Sequence, residues 1–311
     1  MTARKTRSIL IIAAYFGDWP PWIDLFMLSC GRNRGLSWLI YADNEYNGVL
    51  PINVVVRQIS WSGFKERASD ALKIRIDVST TYSVCNLRPM FGVIFRDEIM
   101  GYDFFGWCDL DIIWGDILSI YNDDVFEANV VSSDATITSG HFLLLKNEPW
   151  LRDAYLLIDG WRQTLANNSP CEWRDSLDEA KLSQIFSPDR RFRRRAGAEA
   201  IPPRYFDNNF FRQQYATPFT PQRWHDGRLD HPEVWFWRNG RIFNERDRER
   251  QFLYLHLMNF RAQRWINVDL YASSSTWDSL GNAACFRFDA DATEFRISRQ
   301  GVWPQGEACS D

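Results

Sequence analysis

Residues 102–111 read YDFFGWCDLD, and this stretch decides the fold. Its apolar run predicts a buried β-strand over Tyr102–Trp107 that leads directly into Asp109-Leu110-Asp111. On an extended backbone, residues i and i+2 point to the same side, so the two carboxylates should converge at the carboxyl end of the strand. Ligands of open α/β sheets bind at that end, and two close anions favour a divalent cation that bridges to phosphates.

The same D-x-D motif also has a purely structural interpretation, because so short a motif often only caps a turn. A second copy, Asp289-Ala290-Asp291, illustrates this interpretation. It lies in a polar alternating segment without a buried strand before it, and we therefore expect no site there.

The patterns on either side of this strand predict an α/β fold. Ser8–Tyr15 is a continuous apolar run, typical of a central parallel strand that is covered on both faces. Strands and helices at this spacing predict a sheet flanked by helices, with right-handed crossovers. The remaining patterns predict strands at Ser37–Ala42, Asn53–Ile59, Val130–Val131 and Ile137–Leu145, and helices at Trp22–Cys30, Ala68–Val78, Arg88–Met100 and Pro149–Leu165.

Composition narrows the class of protein. The 311 residues are 45% hydrophobic and 24% charged, as in ordinary folded proteins. With 36 Lys and Arg against 40 Asp and Glu, the formal net charge is −4, which argues against a nucleic-acid partner. The six cysteines have no metal-site spacing and predict reduced thiols.

The amino-terminal apolar run is interpreted as the first strand and not as a signal peptide. It stops at Gly17-Asp18, and no small-residue cleavage site follows. No run approaches the roughly 18 apolar residues that a membrane span needs. The sequence therefore predicts a cytoplasmic protein.

Several segments, in order along residues 8–262, resemble a bacterial family of polysaccharide glycosyltransferases from capsule and exopolysaccharide clusters. The resemblance implies a glycosyltransferase A-type α/β fold with a Rossmann-like mixed sheet flanked by helices. It implies a catalytic domain over residues 1–265, with a nucleotide-sugar half at about 1–115 and an acceptor half at about 116–265, and a carboxyl-terminal extension over 266–311. The segments are ILIIAAYFGDWPPW, KIRIDVSTTYSVCNLRPMFGVIF, GYDFFGWCDLDIIWGDI, ITSGHFLLLKN, SLDEAKLSQIF and YLHLMNFR.

The resemblance implies a metal site at the D-x-D motif. Asp109 and Asp111 would hold Mn²⁺ or Mg²⁺ on the diphosphate of a nucleotide-sugar, with Asp109 toward the ribose and Asp111 toward the metal. His256 matches a histidine that completes such sites, and imidazole suits Mn²⁺ beside two carboxylates. A lone histidine in an apolar segment is otherwise typical of the core. The resemblance also assigns to the donor Tyr15, Phe16, Gly17, Arg88 and Arg261.

Arg88 lies in the segment CNLRP at residues 85–89, where relatives more often have C-D-F-K-P. Arginine keeps the positive charge for a phosphate or carboxylate, whereas Asn86 lacks the charge of an aspartate. Alternatively, Arg88-Pro89 only begins a helix, because proline fits the first turn.

The acceptor side is implied by the same resemblance. Asp178 and Glu179 would act as the base for the acceptor hydroxyl or stabilise positive charge at the sugar. They equally suit the first turn of a helix. Asp116 either contacts the acceptor or caps the next helix. The residues assigned to acceptor binding are Gly140, His141 and Trp114. From their positions, beside the loop after the first strand or on either side of the D-x-D motif, some of four tryptophans are expected to line or back the cleft: Trp19, Trp22, Trp107 and Trp114.

Together these features predict a metal-dependent glycosyltransferase that moves a sugar from a nucleotide-sugar, with UDP expected, to a bacterial surface polysaccharide or its lipid-linked precursor. Two alternatives stay open: a metal-dependent phosphodiesterase or pyrophosphatase, and a nucleotide- or carbohydrate-binding protein without turnover. The basic run Arg190–Arg195 is either a solvated loop or a contact with the inner face of the membrane.

Overall fold

The structure is a computed structural model of the chain. It describes residues 7–167, 175–189, 204–206, 224, 226–228, 232–247, 249–257, 285–298 and 300–307.

The strands alternate with helices along the first half of the chain, as the sequence patterns predict. The strands are β1 (Ile9–Tyr15), β2 (Ser37–Ala42), β3 (Val54–Gln58), β4 (Phe104–Cys108), β5 (Ile112–Trp114), β6 (Val130–Ser132), β7 (Phe142–Lys146), β8 (Arg204–Phe206), β9 (Trp235–Arg238), β10 (Arg241–Asn244), β11 (Tyr254–His256), β12 (Cys285–Phe286), β13 (Glu294–Ser298) and β14 (Gly301–Pro304). The α-helices are α1 (Ile23–Arg32), α2 (Trp61–Leu72), α3 (Phe91–Ile94), α4 (Arg96–Ile99), α5 (Ile117–Ile120), α6 (Pro149–Arg152), α7 (Trp161–Ala166) and α8 (Leu182–Phe186).

The largest sheet is mixed and has the strand order β3-β2-β1-β4-β7-β6-β8. Strands β1 to β4 are parallel, with Ile12 beside Trp107 across β1 and β4. Strand β7 is antiparallel to both β4 and β6. The predicted fold class, a mixed α/β sheet flanked by helices, is confirmed.

The core lies on both faces of this sheet, because successive residues of β1 alternate between two buried clusters. Ile9, Ile11 and Ala13 pack with α1 on one face. Leu10 and Ile12 pack with α2 and α8 on the other. A strand buried on both sides explains why Ser8–Tyr15 shows no polar alternation.

Two smaller sheets extend the first cluster. Strand β5 pairs antiparallel with β11. Strands β10, β9, β13, β14 and β12 form a five-stranded sheet, in which β13 from the end of the chain pairs with β9. Strands β12, β13 and β14, from the carboxyl-terminal extension predicted over 266–311, thus belong to a sheet that also includes residues 235–244. The domain boundary at residue 265 stays a prediction.

Three of the predicted helices differ from the observed elements. The helix predicted at Ala68–Val78 begins and ends earlier, because Ser60 caps Gly63 N at 3.1 Å and Lys73 has a left-handed φ of 55°. The one predicted at Arg88–Met100 begins only at Phe91 and is divided into α3 and α4. It follows a 3₁₀ segment, Thr81–Met90, which contains Pro89. The one at Pro149–Leu165 is interrupted at Gly160, which has a positive φ of 77°.

The strand predicted over Ile137–Leu145 begins only at Phe142, so Ser139, Gly140 and His141 lie before it. The prediction of reduced thiols is wrong for Cys85 and Cys285, each of which is disulfide-bonded, and correct for the buried Cys30 and Cys108. Cys171 and Cys309 lie outside the described residues. Among the helices that the structure describes, none has the length and apolar character of a membrane span.

Candidate metal centre and acidic cluster

Strand pairing brings together the two halves of a candidate metal centre, Asp109 with Asp111 and His256, across about 145 residues of sequence. Strand β4 ends at Cys108 and delivers Asp109 and Asp111 to the carboxyl end of the parallel strands. Strand β11 pairs with β5 so that His256 lies opposite Ile112. The backbone N–H of Leu257 donates to Asp111 O at 2.6 Å and fixes this register.

Asp109, Asp111 and His256 form a group that fits a divalent cation. One ligand atom from each lies within 4.8 Å of the others. Ligand atoms that share one ion with bonds near 2.1 Å are about 3–4 Å apart, so only small movements are required. His256 Nε2 is 3.3 Å from Asp111 Oδ1. His256 Nδ1 is buried and has no hydrogen-bond partner among the described residues, so a bound group would be needed to satisfy it.

Arg88 joins this metal centre to a second acidic group. Its guanidinium donates to Asp109 Oδ1, to Asp178 Oδ2 at 3.0 Å and to Gly140 O at 2.7 Å. Burial lowers the pKa of Arg88, but the carboxylates of Asp109 and Asp178 outweigh it, so the pKa lies above the ordinary arginine value. Arg88 is therefore the fixed cation of the cluster, and the helix-start interpretation of Arg88-Pro89 is not observed.

The formal charge of the cluster matches a dication. The cluster contains three carboxylates, those of Asp109, Asp111 and Asp178, and one guanidinium, that of Arg88, which pairs with Asp109 and Asp178. With all three carboxylates ionised, the formal charge is −2. Uncompensated charge in a buried site is costly, so a bound divalent ion would stabilise this arrangement.

Asp178 and Glu179, which we call the acidic pair, lie in a segment that is hydrogen-bonded to the CNLRP segment. Leu177 N donates to Asn86 Oδ1 at 2.9 Å, and Asn86 is completely buried. A neutral amide at this position thus has a structural use. Asp178 and Glu179 belong to a π-helical turn, Leu177–Lys181, that Ser176 caps through Ala180 N. The first-turn interpretation and the proximity to the site both hold for Asp178 and Glu179.

Glu179 has an altered acidity. Burial raises the pKa of Glu179 to about 8, and the negative charge of Asp178 contributes in the same direction. Glu179 Oε1 accepts from Gly140 N at 2.9 Å, which opposes the shift in part. A Cβ at Gly140 would lie 2.7 Å from Glu179 Cγ, so only glycine allows this approach. Burial also raises the pKa of Asp178 despite its ion pair.

His141, predicted to bind the acceptor, is buried and packs against the metal centre instead. Its ring stacks on His256 with centroids 4.2 Å apart. Nε2 is 2.7 Å from the Tyr254 hydroxyl, and Nδ1 is 3.1 Å from Ser139 Oγ. Burial lowers the pKa of His141, and His256 and Arg88 lower it further, so the ring is neutral at pH 7.

The predicted nucleotide loop lies at the same sheet edge. Gly17 has a φ of 124°, and a Cβ there would meet nothing within 4 Å, so the loop borders open space. Gly17 N donates to Asp43 Oδ1 at 2.9 Å. Tyr15 stacks on Trp19 with ring centroids 5.9 Å apart. Phe16 is buried against Trp61 and packs in the core, so its ring does not face this space.

The other predicted residues divide between core and surface. Trp114 is completely buried against Phe142, which excludes its ring from an accessible acceptor surface. Trp107 is also buried and donates to Gly140 O at 3.0 Å. Trp22 is also buried, and its Nε1 donates to Leu110 O at 2.9 Å, so Trp22 holds the backbone of the D-x-D motif in place. Asp116 caps α5 through Ser119 N at 3.2 Å.

Arg261 and the run Arg190–Arg195 lie outside the described residues. Sequence reasoning missed Tyr254 and Asn86 as supports of the site. The alternation of β11 could have indicated Tyr254, because residues 254 and 256 share a strand face. Nothing in the local sequence indicated the pairing of Asn86 with Leu177.

Comparisons with known proteins place the chain in a family without assigning an activity. The chain belongs to the family of unknown function DUF6625, whose model matches residues 11–275. No curated protein matches it. Among solved structures, the apo-form glycosyltransferase GlyE of Streptococcus pneumoniae TIGR4 is similar, at 14% identity and a TM-score of 0.29. That similarity covers 49% of this chain and 38% of the GlyE chain.

Proposed function

For this member of DUF6625, we propose a metal-dependent glycosyltransferase that uses a nucleotide-sugar donor. The observation that carries the proposal is the convergence of Asp109, Asp111 and His256 at the carboxyl end of the parallel strands, where Arg88 links Asp109 to Asp178. This sheet edge is where α/β proteins bind nucleotides.

The metal ligands would be Asp109, Asp111 and His256, a mixed oxygen and nitrogen set that suits Mn²⁺. A bound divalent ion would neutralise the charge that develops on the leaving diphosphate. Arg88 would keep Asp109 and Asp178 in place before the donor binds, since its guanidinium is shared between them. His141 would fix the ring plane of His256 through their stacking.

Glu179 would act as the general base that removes the proton of the acceptor hydroxyl. The ionised form of a carboxylic acid whose pKa is about 8 is a stronger base than an ordinary glutamate, so this form can accept a proton from a sugar hydroxyl as that oxygen attacks. Gly140 N would hold the ionised oxygen through its hydrogen bond. Asp178, paired with Arg88, would instead orient the guanidinium.

The finer assignments rest on the sequence resemblance. The proposed donor is a UDP-hexose, and the acceptor is a glycan of a bacterial surface polysaccharide or its lipid-linked precursor. The cytoplasmic location stays a prediction. Cys85 and Cys285 are each disulfide-bonded, and disulfide bonds are typical of oxidising compartments, not of the cytoplasm.

Binding and turnover of UDP-sugars test the proposal. We expect UDP to bind the full chain in MnCl₂, with affinity that falls at least tenfold in EDTA or in Asp111→Asn. Release of UDP from a panel of UDP-hexoses should then require an added glycan acceptor. Release that is independent of acceptor would favour the hydrolase alternative, and metal-dependent binding without any release would favour the binding protein.

A further inference from the structure

Exposed apolar side chains concentrate in one loop far from the metal centre. Val49 is 88% exposed and Ile52 is 97% exposed, with Leu50 between them at 41%. Val55, on the adjoining strand β3, is 49% exposed. We define Val49, Leu50 and Ile52 as the apolar tip. Apolar groups left in water in such a cluster mark an interaction surface.

The apolar tip is held in place by contacts with α1, so it is a built feature. Tyr46 OH donates to Asp24 Oδ1 at 2.7 Å near the start of α1. At the other end of α1, a Cβ on Gly31 would lie 2.7 Å from Pro51, and Asn53 Nδ2 donates to Cys30 O at 3.0 Å. The loop therefore runs along α1 with its apolar side chains outward.

Arginines surround this anchored end. Arg32 and Arg34 are exposed and flank Asn33, whose carbonyl accepts from Asn53 Nδ2 at 3.1 Å. The β9–β10 turn packs on Arg32, since a Cβ on Gly240 would lie 2.9 Å from Arg32 Cβ, and the exposed Arg241 follows that turn. None of Arg32, Arg34 and Arg241 forms an ion pair with a residue that the structure describes.

We propose that the apolar tip and these three arginines form a docking surface for an anionic lipid bilayer. The tip would enter the interface between headgroups and acyl chains, while Arg32, Arg34 and Arg241 contact lipid phosphates, the pairing of apolar and cationic groups that binds membrane surfaces. The loop also carries an exposed negative charge, Glu45, but this residue precedes the apolar tip by four residues.

A second copy of the chain fits this surface less well than a bilayer does. In a two-fold dimer each patch faces its own copy, so the unpaired arginines would meet one another. The apolar tip has only three side chains, whereas a stable interface needs roughly 800 Å² from each partner.

This surface lies at the edge opposite the metal centre. The apolar tip precedes β3, at the amino ends of the parallel strands, whereas Asp109 follows the carboxyl end of β4. Docking would therefore leave the site facing away from the bilayer, open to soluble donor. The inference is independent of the reaction that the site performs.

Co-sedimentation of the full chain with vesicles tests the surface. Vesicles of phosphatidylcholine and phosphatidylglycerol at 7:3 should bind the chain, and pure phosphatidylcholine vesicles should bind it at least tenfold less. The double variant Val49→Ser/Ile52→Ser and the double variant Arg32→Glu/Arg34→Glu should each lose at least tenfold in partition. Met100→Ser is the matched control, because Met100 is 76% exposed elsewhere, and it should bind as the original chain does.

Three results would overturn the proposal. The first is an absence of binding to the mixed vesicles. The second is binding that Val49→Ser/Ile52→Ser leaves unchanged or that Met100→Ser weakens equally. The third is a dimer in sedimentation velocity that Ile52→Ser dissociates, which would assign the surface to a second copy. Thermal unfolding of each variant, expected to be unchanged at these exposed positions, shows that the differences do not come from misfolding.

Discussion

The chain contains two D-x-D motifs in opposite physical environments. Asp109 and Asp111 follow a fully buried strand and lie close to His256, and Asp109 also pairs with the guanidinium of Arg88. Asp289 and Asp291 are exposed, and Asp289 Oδ1 only accepts from the N–H of Asp291 at 2.9 Å in a turn. Identical letters thus give a candidate metal centre in one place and a turn in the other. Burial and partners from distant segments make the difference.

The largest expected effect comes from removing the fixed cation of the first motif. Arg88→Met leaves the carboxylates of Asp109 and Asp178 buried without their partner, so we expect unfolding free energy to fall by about 3–5 kcal/mol. Urea denaturation measures it. Arg57→Met is the control, since Arg57 is about half-exposed in its pair with Glu98 at 3.1 Å and should cost less than about 1 kcal/mol. Equal losses would mean that Arg88 is an ordinary surface partner.

Removing His256, the histidine beside the first motif, should weaken metal binding there. We expect His256→Ala to raise the Kd for Mn²⁺ about 100-fold, which corresponds to about 2.7 kcal/mol. The difference in Tm between the two proteins in EDTA measures the loss of packing alone. The rise in Tm on addition of MnCl₂ measures metal binding, and it should be smaller for His256→Ala than for the original chain. If MnCl₂ stabilises both proteins equally, His256 is a core residue.

The acidic pair beside the first motif predicts a pH dependence of stability. The pKa of Glu179 is about 8 in the folded protein, above its unfolded value, so the folded state keeps this proton over a wider range. Its stabilising contribution is present below about pH 4.5 and is lost as the pH rises through 8. At one pKa unit per about 1.4 kcal/mol, and with Glu179 only partly buried, we expect a loss on the order of 2 kcal/mol between pH 5 and 8.5.

Glu179→Gln isolates this contribution. The amide keeps an oxygen for Gly140 N but cannot ionise, so the variant should lose about 2 kcal/mol less than the original chain over the same pH range. Urea titrations at the two pH values measure the difference. Parallel pH profiles would show that Glu179 titrates as in water.

The smallest effect concerns the support of His256. We expect His141→Ala to weaken Mn²⁺ binding about tenfold, because ligand rings held by neighbouring groups bind metal more tightly. His141→Phe keeps an aromatic ring for stacking and should recover part of that loss. If His141 contacts the acceptor instead, Mn²⁺ affinity stays constant and only the acceptor KM rises.

Local patterns predicted the strands well because burial on two faces leaves a strong signal in a short run. Ser37–Ala42 is a strand over the same residues, and the strand before Asp109 differs by two residues at its start and one at its end. The site was predicted in part: the two carboxylates follow from strand geometry, whereas His256 came only from the family resemblance. Its position depends on the pairing of β5 with β11, which no local pattern encodes.

Other features depend on contacts between distant segments. The helix predicted over Arg88–Met100 begins only at Phe91, because residues 81–90 form a 3₁₀ segment that directs Arg88 toward Asp109 and Asp178. His141 was assigned to the acceptor by the family resemblance alone. Its neighbours Tyr254 and His256 arrive from more than 110 residues away and enclose it.

Direct titration of Mn²⁺ into the metal-free full chain tests the central claim, by calorimetry or by the loss of the free-ion electron paramagnetic resonance signal. The original chain and Asp289→Asn should each bind one Mn²⁺ with the same affinity, and Asp111→Asn should lose at least 100-fold. Asparagine matches aspartate in shape, and Tm values in EDTA verify that all three fold. Equal binding by Asp111→Asn, or no binding by the original chain, would contradict the assignment of the first motif as a metal centre.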